Sequence, residues 1–127
     1  CFTLSGALDI TRKTRPYNLN EWKAIFGFDL NSALELNNTK HDVFYLATQL
    51  VKENKPLPKI FIWCGEQDSL LDTNNQFSNL LTSLNIEHIY KTSEGDHSWK
   101  WWDMHVENAI KFILNDKEDQ FNEICFF

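Results

Sequence analysis

The 127-residue chain carries 12 Lys and Arg against 18 Asp and Glu, a formal net charge of −6 with a pI of about 5.1. That balance opposes a nucleic-acid binder that works by tracking phosphates, and no apolar run nears the roughly 20 residues of a membrane span. Hydrophobic residues at 43%, with five Trp and ten Phe, exclude a disordered chain and at this length imply one domain around a single core.

Phe2-Thr3-Leu4 is a short apolar opening stopped by Ser5-Gly6, which reads as a strand end. Ile10 to Asn38 is polar and irregular with embedded aromatics (Tyr17, Trp22, Phe26, Phe28) and reads as a long excursion of the kind that packs over a site. Val43 to Lys52 is apolar at helical spacing, with Asp42 at its start and Lys52 at its end, as the helix dipole favours. Pro56 and Pro58 end that helix and lead into Lys59-Ile60-Phe61-Ile62-Trp63-Cys64-Gly65, a nearly continuous apolar run that predicts a strand buried on both faces. Asp72 reads as the N-cap of a helix through Phe77, Leu80, Leu81 and Leu84. Ile86 to Lys91 alternates as a strand and closes at Ser93-Glu94-Gly95-Asp96. A last helix spans about Ser98 to Leu114 with Trp102, Val106, Ala109, Ile110 and Ile113 as its apolar stripe. The alternation of strands and helices predicts an α/β fold with a parallel sheet covered on both faces.

In such sheets ligands bind beyond the carboxyl ends of the strands. Two segments fall there: Trp63-Cys64-Gly65-Glu66-Gln67-Asp68 and, after the next strand, Gly95-Asp96-His97-Ser98-Trp99. A carboxylate after one strand and an imidazole after the next suit an acid–base pair, in which the carboxylate fixes the imidazole tautomer and supports its protonated form. Asp68 and His97 are the candidates, the second and third members of a Ser…Asp…His order. Taken singly, Asp68 also fits a turn acid and His97 a surface residue. Glu66 reads as a solvated side chain and Asp72 as a helix cap. His105 shares a helix face with His97, a poor basis for a metal pair, and His41 and His88 read as surface residues. Cys64 could serve a Cys–His–Asp site, but a Cys closing an apolar strand usually behaves as a small buried hydrophobe. Trp99, Trp101 and Trp102 cannot all face the core of one helix, so Trp102 goes to the core and Trp99 to a substrate pocket beside His97. Ser5 and Ser98 read as loop hydrogen-bonders.

These two loops resemble those of a tributyrin-esterase-type α/β-hydrolase, grouped with the esterase D and S-formylglutathione hydrolase-like enzymes. Leu4-Ser5-Gly6-Ala7-Leu8 and the excursion with Trp22 and Phe26-Gly27 resemble the same family. The resemblance implies hydrolysis of short acyl esters by Ser attack, with His97 as base and Asp68 orienting it, and no cofactor. It also implies that the three strands are neighbours at one end of the sheet. The family's Gly-x-Ser-x-Gly elbow is absent from all 127 residues, and Thr3 stands where its first Gly would have to precede Ser5. The chain also begins Cys-Phe-Thr-Leu-Ser, without a Met or signal peptide, so residue 1 is not expected to be a natural start. The expectation is a partial domain, residues 1–127, the carboxyl half of a cytoplasmic esterase that self-associates or pairs with its amino half. The three cysteines, Cys1, Cys64 and Cys125, odd in number and without metal-type spacing, fit that reducing compartment. Alternatives from other classes are a non-catalytic assembly fragment and a thiol enzyme using Cys64.

Overall fold

The computed structural model describes residues 1–10, 19–27 and 30–114. Tyr17, Phe28 and Cys125, named above, lie outside the described residues. Three strands, β1 (Phe2–Leu4), β2 (Phe61–Gly65) and β3 (Ile89–Ser93), form one parallel sheet in the order β1-β2-β3. The register sets Leu4 opposite Trp63, and Gly65 opposite Ser93. Helices α1 (Leu19–Phe26), α2 (Val43–Lys52), α3 (Leu71–Ser83) and α4 (Trp99–Leu114) complete the described fold, with a 3-10 turn at Ala33–Leu36.

All five residues of β2 are buried, because the strand pairs on both edges and is covered on both faces. Side-chain alternation sorts them. Ile62 joins Phe44, Ala47, Phe77, Leu81 and Ile86 beneath α2 and α3, whereas Phe61 and Trp63 join Ala109, Trp101, Trp102 and Phe112 beneath α4. This is the three-layer α/β arrangement that the alternating elements predict.

Local chemistry moves several boundaries. The excursion contains α1, whose Trp22 stacks on Phe26, which in turn meets His41 edge-on at 4.8 Å. His41 is therefore half-buried against an aromatic ring. Asp42 caps α2 as expected, its carboxylate accepting the N–H groups of Phe44 and Tyr45. That helix ends before the prolines: Asn54 takes a φ of +51°, and the N–H groups of Asn54 and Lys55 bond the carbonyls of Val51 and Leu50. The end of α3 repeats the device, with Asn85 at φ +55° and Ile86 N–H on the Leu81 carbonyl. Ile86 is thus the buried latch of a helix terminus rather than the first residue of a strand, and β3 begins at Ile89.

Asp72 is not an N-cap. The helix starts one residue earlier at Leu71 with no side-chain cap, and Asp72 instead accepts from Gln76 within the first turns. The stripe of α4 is rotated from the expected one: Trp101, Ala109 and Phe112 face the sheet, while Ile110 is 44% exposed. The sheet-facing row is therefore set by Trp101 and Trp102 in the first turn, with Ala109 and Phe112 about two and three turns on.

Candidate active site

The carboxyl ends of β2 and β3 open side by side. Asp68 follows β2 by three residues, and its side chain is fully buried. Each carboxylate oxygen has its own partner. Oδ1 accepts the Leu70 N–H at 2.8 Å, and Oδ2 accepts from His97 Nδ1 at 3.0 Å. Since an ionised carboxylate only accepts, Nδ1 carries the proton and Nε2 of the neutral ring is left with a lone pair. Burial alone would push the Asp68 carboxyl up. The neighbouring Ser5 hydroxyl, the Leu70 N–H and His97 outweigh it and hold the carboxyl below its ordinary value.

His97 lies in the turn before α4, so it does not share a helix face with His105. Its side chain is 49% exposed, open to a cleft on the side away from Asp68. Trp102 meets it edge-on with ring centroids 4.8 Å apart, and Trp99 packs edge-on against Trp102 at 5.2 Å. The cleft, about 540 Å³, is lined by these residues together with Phe2, Leu4, Ala7 and Val106. Trp99 is 80% exposed on its rim. Trp102 packs against the core as its helical position predicts, and its ring is also the wall against which His97 is held.

Ser5 ends β1 in the left-handed region at φ +53°, with its N–H on the Trp63 carbonyl. The residue borders the cleft, but its hydroxyl is buried beside Asp68 and Cys64 and is not exposed to the cleft space. Cys64 is sealed in the same way. Complete burial, reinforced by the Asp68 charge, pushes the Cys64 thiol up to about 11, so it is neither ionised nor accessible at neutral pH. Glu66 is exposed, as expected.

The other histidines make local contacts. His105 stacks on Trp63 at 4.1 Å, and Ser93 Oγ lies between them, accepting from Trp63 Nε1 at 3.0 Å and 3.3 Å from His105 Nε2. Burial, with Lys91 nearby, holds the His105 imidazole below its ordinary value. His88, expected at the surface, is half-buried between Ser78 Oγ at 2.8 Å and the Ile86 carbonyl. No group of three or more candidate metal ligands occurs among the described residues, and no described helix is long and apolar enough to cross a membrane.

No protein-family model matches the chain. It is 33% identical over 94 residues to an acetyl esterase of Caldicellulosiruptor saccharolyticus, which covers 74% of this chain and 34% of that protein. In structure it resembles FphF, a fluorophosphonate-binding serine hydrolase of Staphylococcus aureus, with a TM-score of 0.75 and 31% identity over 91% of this chain and 44% of the other. An S-formylglutathione hydrolase, FrmB, of the same organism gives a TM-score of 0.63 and 28% identity over 90% of this chain and 40% of the other. A ferulic acid esterase at 16% identity and a TM-score of 0.58 shares the fold. The chain thus spans between 34% and 44% of the length of these proteins, and the first three support a relationship to esterases and serine hydrolases.

Proposed function

We propose that these residues form the carboxyl half of a serine carboxylesterase acting on short acyl esters, with Asp68 and His97 as two members of its triad. The observation that carries this reading is the 3.0 Å bond from His97 to a buried carboxylate, made at the ends of adjacent parallel strands and beside an apolar cleft. The similarity to an acetyl esterase and to a serine hydrolase supports it.

In this reading the nucleophilic Ser comes from a part of the protein outside the 127 residues. His97 Nε2 takes its proton during attack on the ester carbonyl, and Asp68 supports the imidazolium that forms. The same proton then goes to the departing alcohol. Water attacks the acyl-enzyme by the reverse sequence, so the chemistry calls for no cofactor. Trp99, Trp102 and Val106 give the acyl or alcohol group an apolar wall with room for a small chain. The cytoplasmic setting read from the cysteines, and pairing of β1 with the remainder of the hydrolase, belong to the same proposal.

The test uses the full-length protein. A fluorophosphonate probe labels it and p-nitrophenyl acetate is hydrolysed, while His97→Ala abolishes turnover. Undiminished turnover in folded His97→Ala would overturn the reading.

A further inference from the structure

We infer that Gln67 is a positioning residue that holds the Asp68 and His97 loops in register by binding Gly95 from both sides; this rests on the catalytic reading of the pair. The Gln67 backbone N–H donates to the Gly95 carbonyl at 2.9 Å, and the Gly95 N–H donates to Gln67 Oε1 at 2.8 Å. Both polar backbone groups of Gly95 are thereby taken by one residue. The ring so closed joins the residue before Asp68 to the residue two before His97.

The surroundings show why the clamp is needed. Glu66 N–H on the Ser93 carbonyl, at 2.9 Å, continues the β2–β3 ladder, and beyond it the strands give no further support. A Cβ at Gly65 would overlap the Gly95 carbonyl, so the loops touch backbone to backbone. Gly95 has a φ of +156°, and a Cβ there would stand 3.1 Å from the rings of Trp63 and Trp101. The backbone half of the clamp tolerates any residue but proline at 67, whereas the side-chain half needs an acceptor at the end of a three-atom stem. Gln67 is absent from the cleft lining, so its effect on substrate binding is expected to be small.

The experiment compares Gln67→Met, which keeps the length and loses the oxygen, with Gln67→Glu, which keeps the acceptor, in the full-length protein. Displacement of a catalytic group by an ångström costs up to about a hundredfold, so Gln67→Met is expected to lower kcat about tenfold on p-nitrophenyl acetate with KM within about twofold. The downfield proton resonance of His97 Nδ1–H, present while it bonds the carboxylate, disappears in the same variant. Gln67→Glu retains both kcat and the resonance. Wild-type kcat in Gln67→Met, or an equal fall in Gln67→Glu, overturns the inference. Should Gln67→Met fail to fold, Gln67→Glu decides alone: kept kcat and resonance support the clamp, and their loss overturns it. His97→Ala separates the two layers. If it abolishes turnover while Gln67→Met keeps wild-type kcat, the positioning role alone falls; if it leaves turnover intact, the catalytic reading falls and takes the positioning role with it.

Discussion

Strands β1 and β2 are neighbours in one sheet with opposite surroundings. Every residue of β2 is buried, and the loop leaving it is tied to the loop leaving β3 by backbone and side-chain bonds that fix Asp68 against His97. No residue of β1 is fully buried, Phe2 at its start is 42% exposed, and among the described strands it pairs only with β2. The Asp68–His97 pair is bonded in place on the β2–β3 side, while the cleft beside His97 is walled by the β1 side, with Phe2, Leu4 and Ala7. A free parallel edge with apolar side chains is a surface for another strand.

The largest expected effect tests the closed side. If His97 is the base and Asp68 its orienting carboxylate, loss of either in the full-length protein should lower kcat about 10⁴-fold or more, as in Ser–His–Asp hydrolases. His97→Ala and Asp68→Asn, measured on p-nitrophenyl acetate, check this. A fall of less than tenfold in either would break the view that the β2–β3 loops hold the reacting groups.

The next concerns the open side. The 127-residue chain by itself is expected to hydrolyse no p-nitrophenyl acetate above background and to self-associate through β1. Sedimentation in dilute buffer decides the second point. A stable monodisperse 15.0 kDa species would mean that the β1 edge needs no cover.

Stability sharpens the contrast between the two strands. Truncation of a core side chain such as Ile62→Ala should cost about 2–5 kcal/mol, because Ile62 is fully buried between β2's neighbours and α3. Phe2→Ala in the isolated chain, kept dilute enough to stay monomeric, should cost under about 1 kcal/mol, as for a surface substitution. In the full-length protein Phe2→Ala should move toward the core value if another strand covers the edge. Denaturant unfolding of these variants against wild type in each context gives the answer, and equal costs for Phe2→Ala in both contexts would remove the case for a covered edge.

Acid titration gives a smaller effect. The Asp68 carboxyl is held below its ordinary value in the folded chain, so the folded state binds this proton less readily than the unfolded one. The stability this supplies is fully present above the ordinary carboxylate pKa of about 3.9 and is lost as pH falls through the lower folded value. Asp68→Asn should flatten that part of the stability–pH curve. An unchanged slope below about pH 4 would show that the carboxylate owes nothing to its partners. Finally, iodoacetamide at neutral pH should label exposed Cys1 and spare Cys64 until the chain unfolds. Labelling of Cys64 at the rate of Cys1 would reopen the thiol-enzyme alternative.

Much of this was legible along the chain because its causes are local. The β2 run is apolar because both its faces are covered, and Asp42 announces α2 because a cap bonds residues two and three places on. Reading failed where one local pattern has two physical sources. The burial of Ile86 belongs to a helix terminus closed by Asn85, yet in sequence it looks like the first inward residue of a strand. Asp72 has the composition of a cap, but Asp68 already turns the chain into α3 through Leu70.

The order of the three strands and of the three helices after the excursion, the α/β class, and the two loops from which a carboxylate and an imidazole emerge were legible in the sequence, since periodicity, caps and breakers act over a few residues. The folded chain alone reveals that Trp102 walls the imidazole, that the Ser5 hydroxyl is sealed away, and that Gln67 grips Gly95. Most of those facts join residues distant along the chain. Their contact depends on the register of β2 against β3 and on the rotation of α4 over the sheet, which no local pattern encodes.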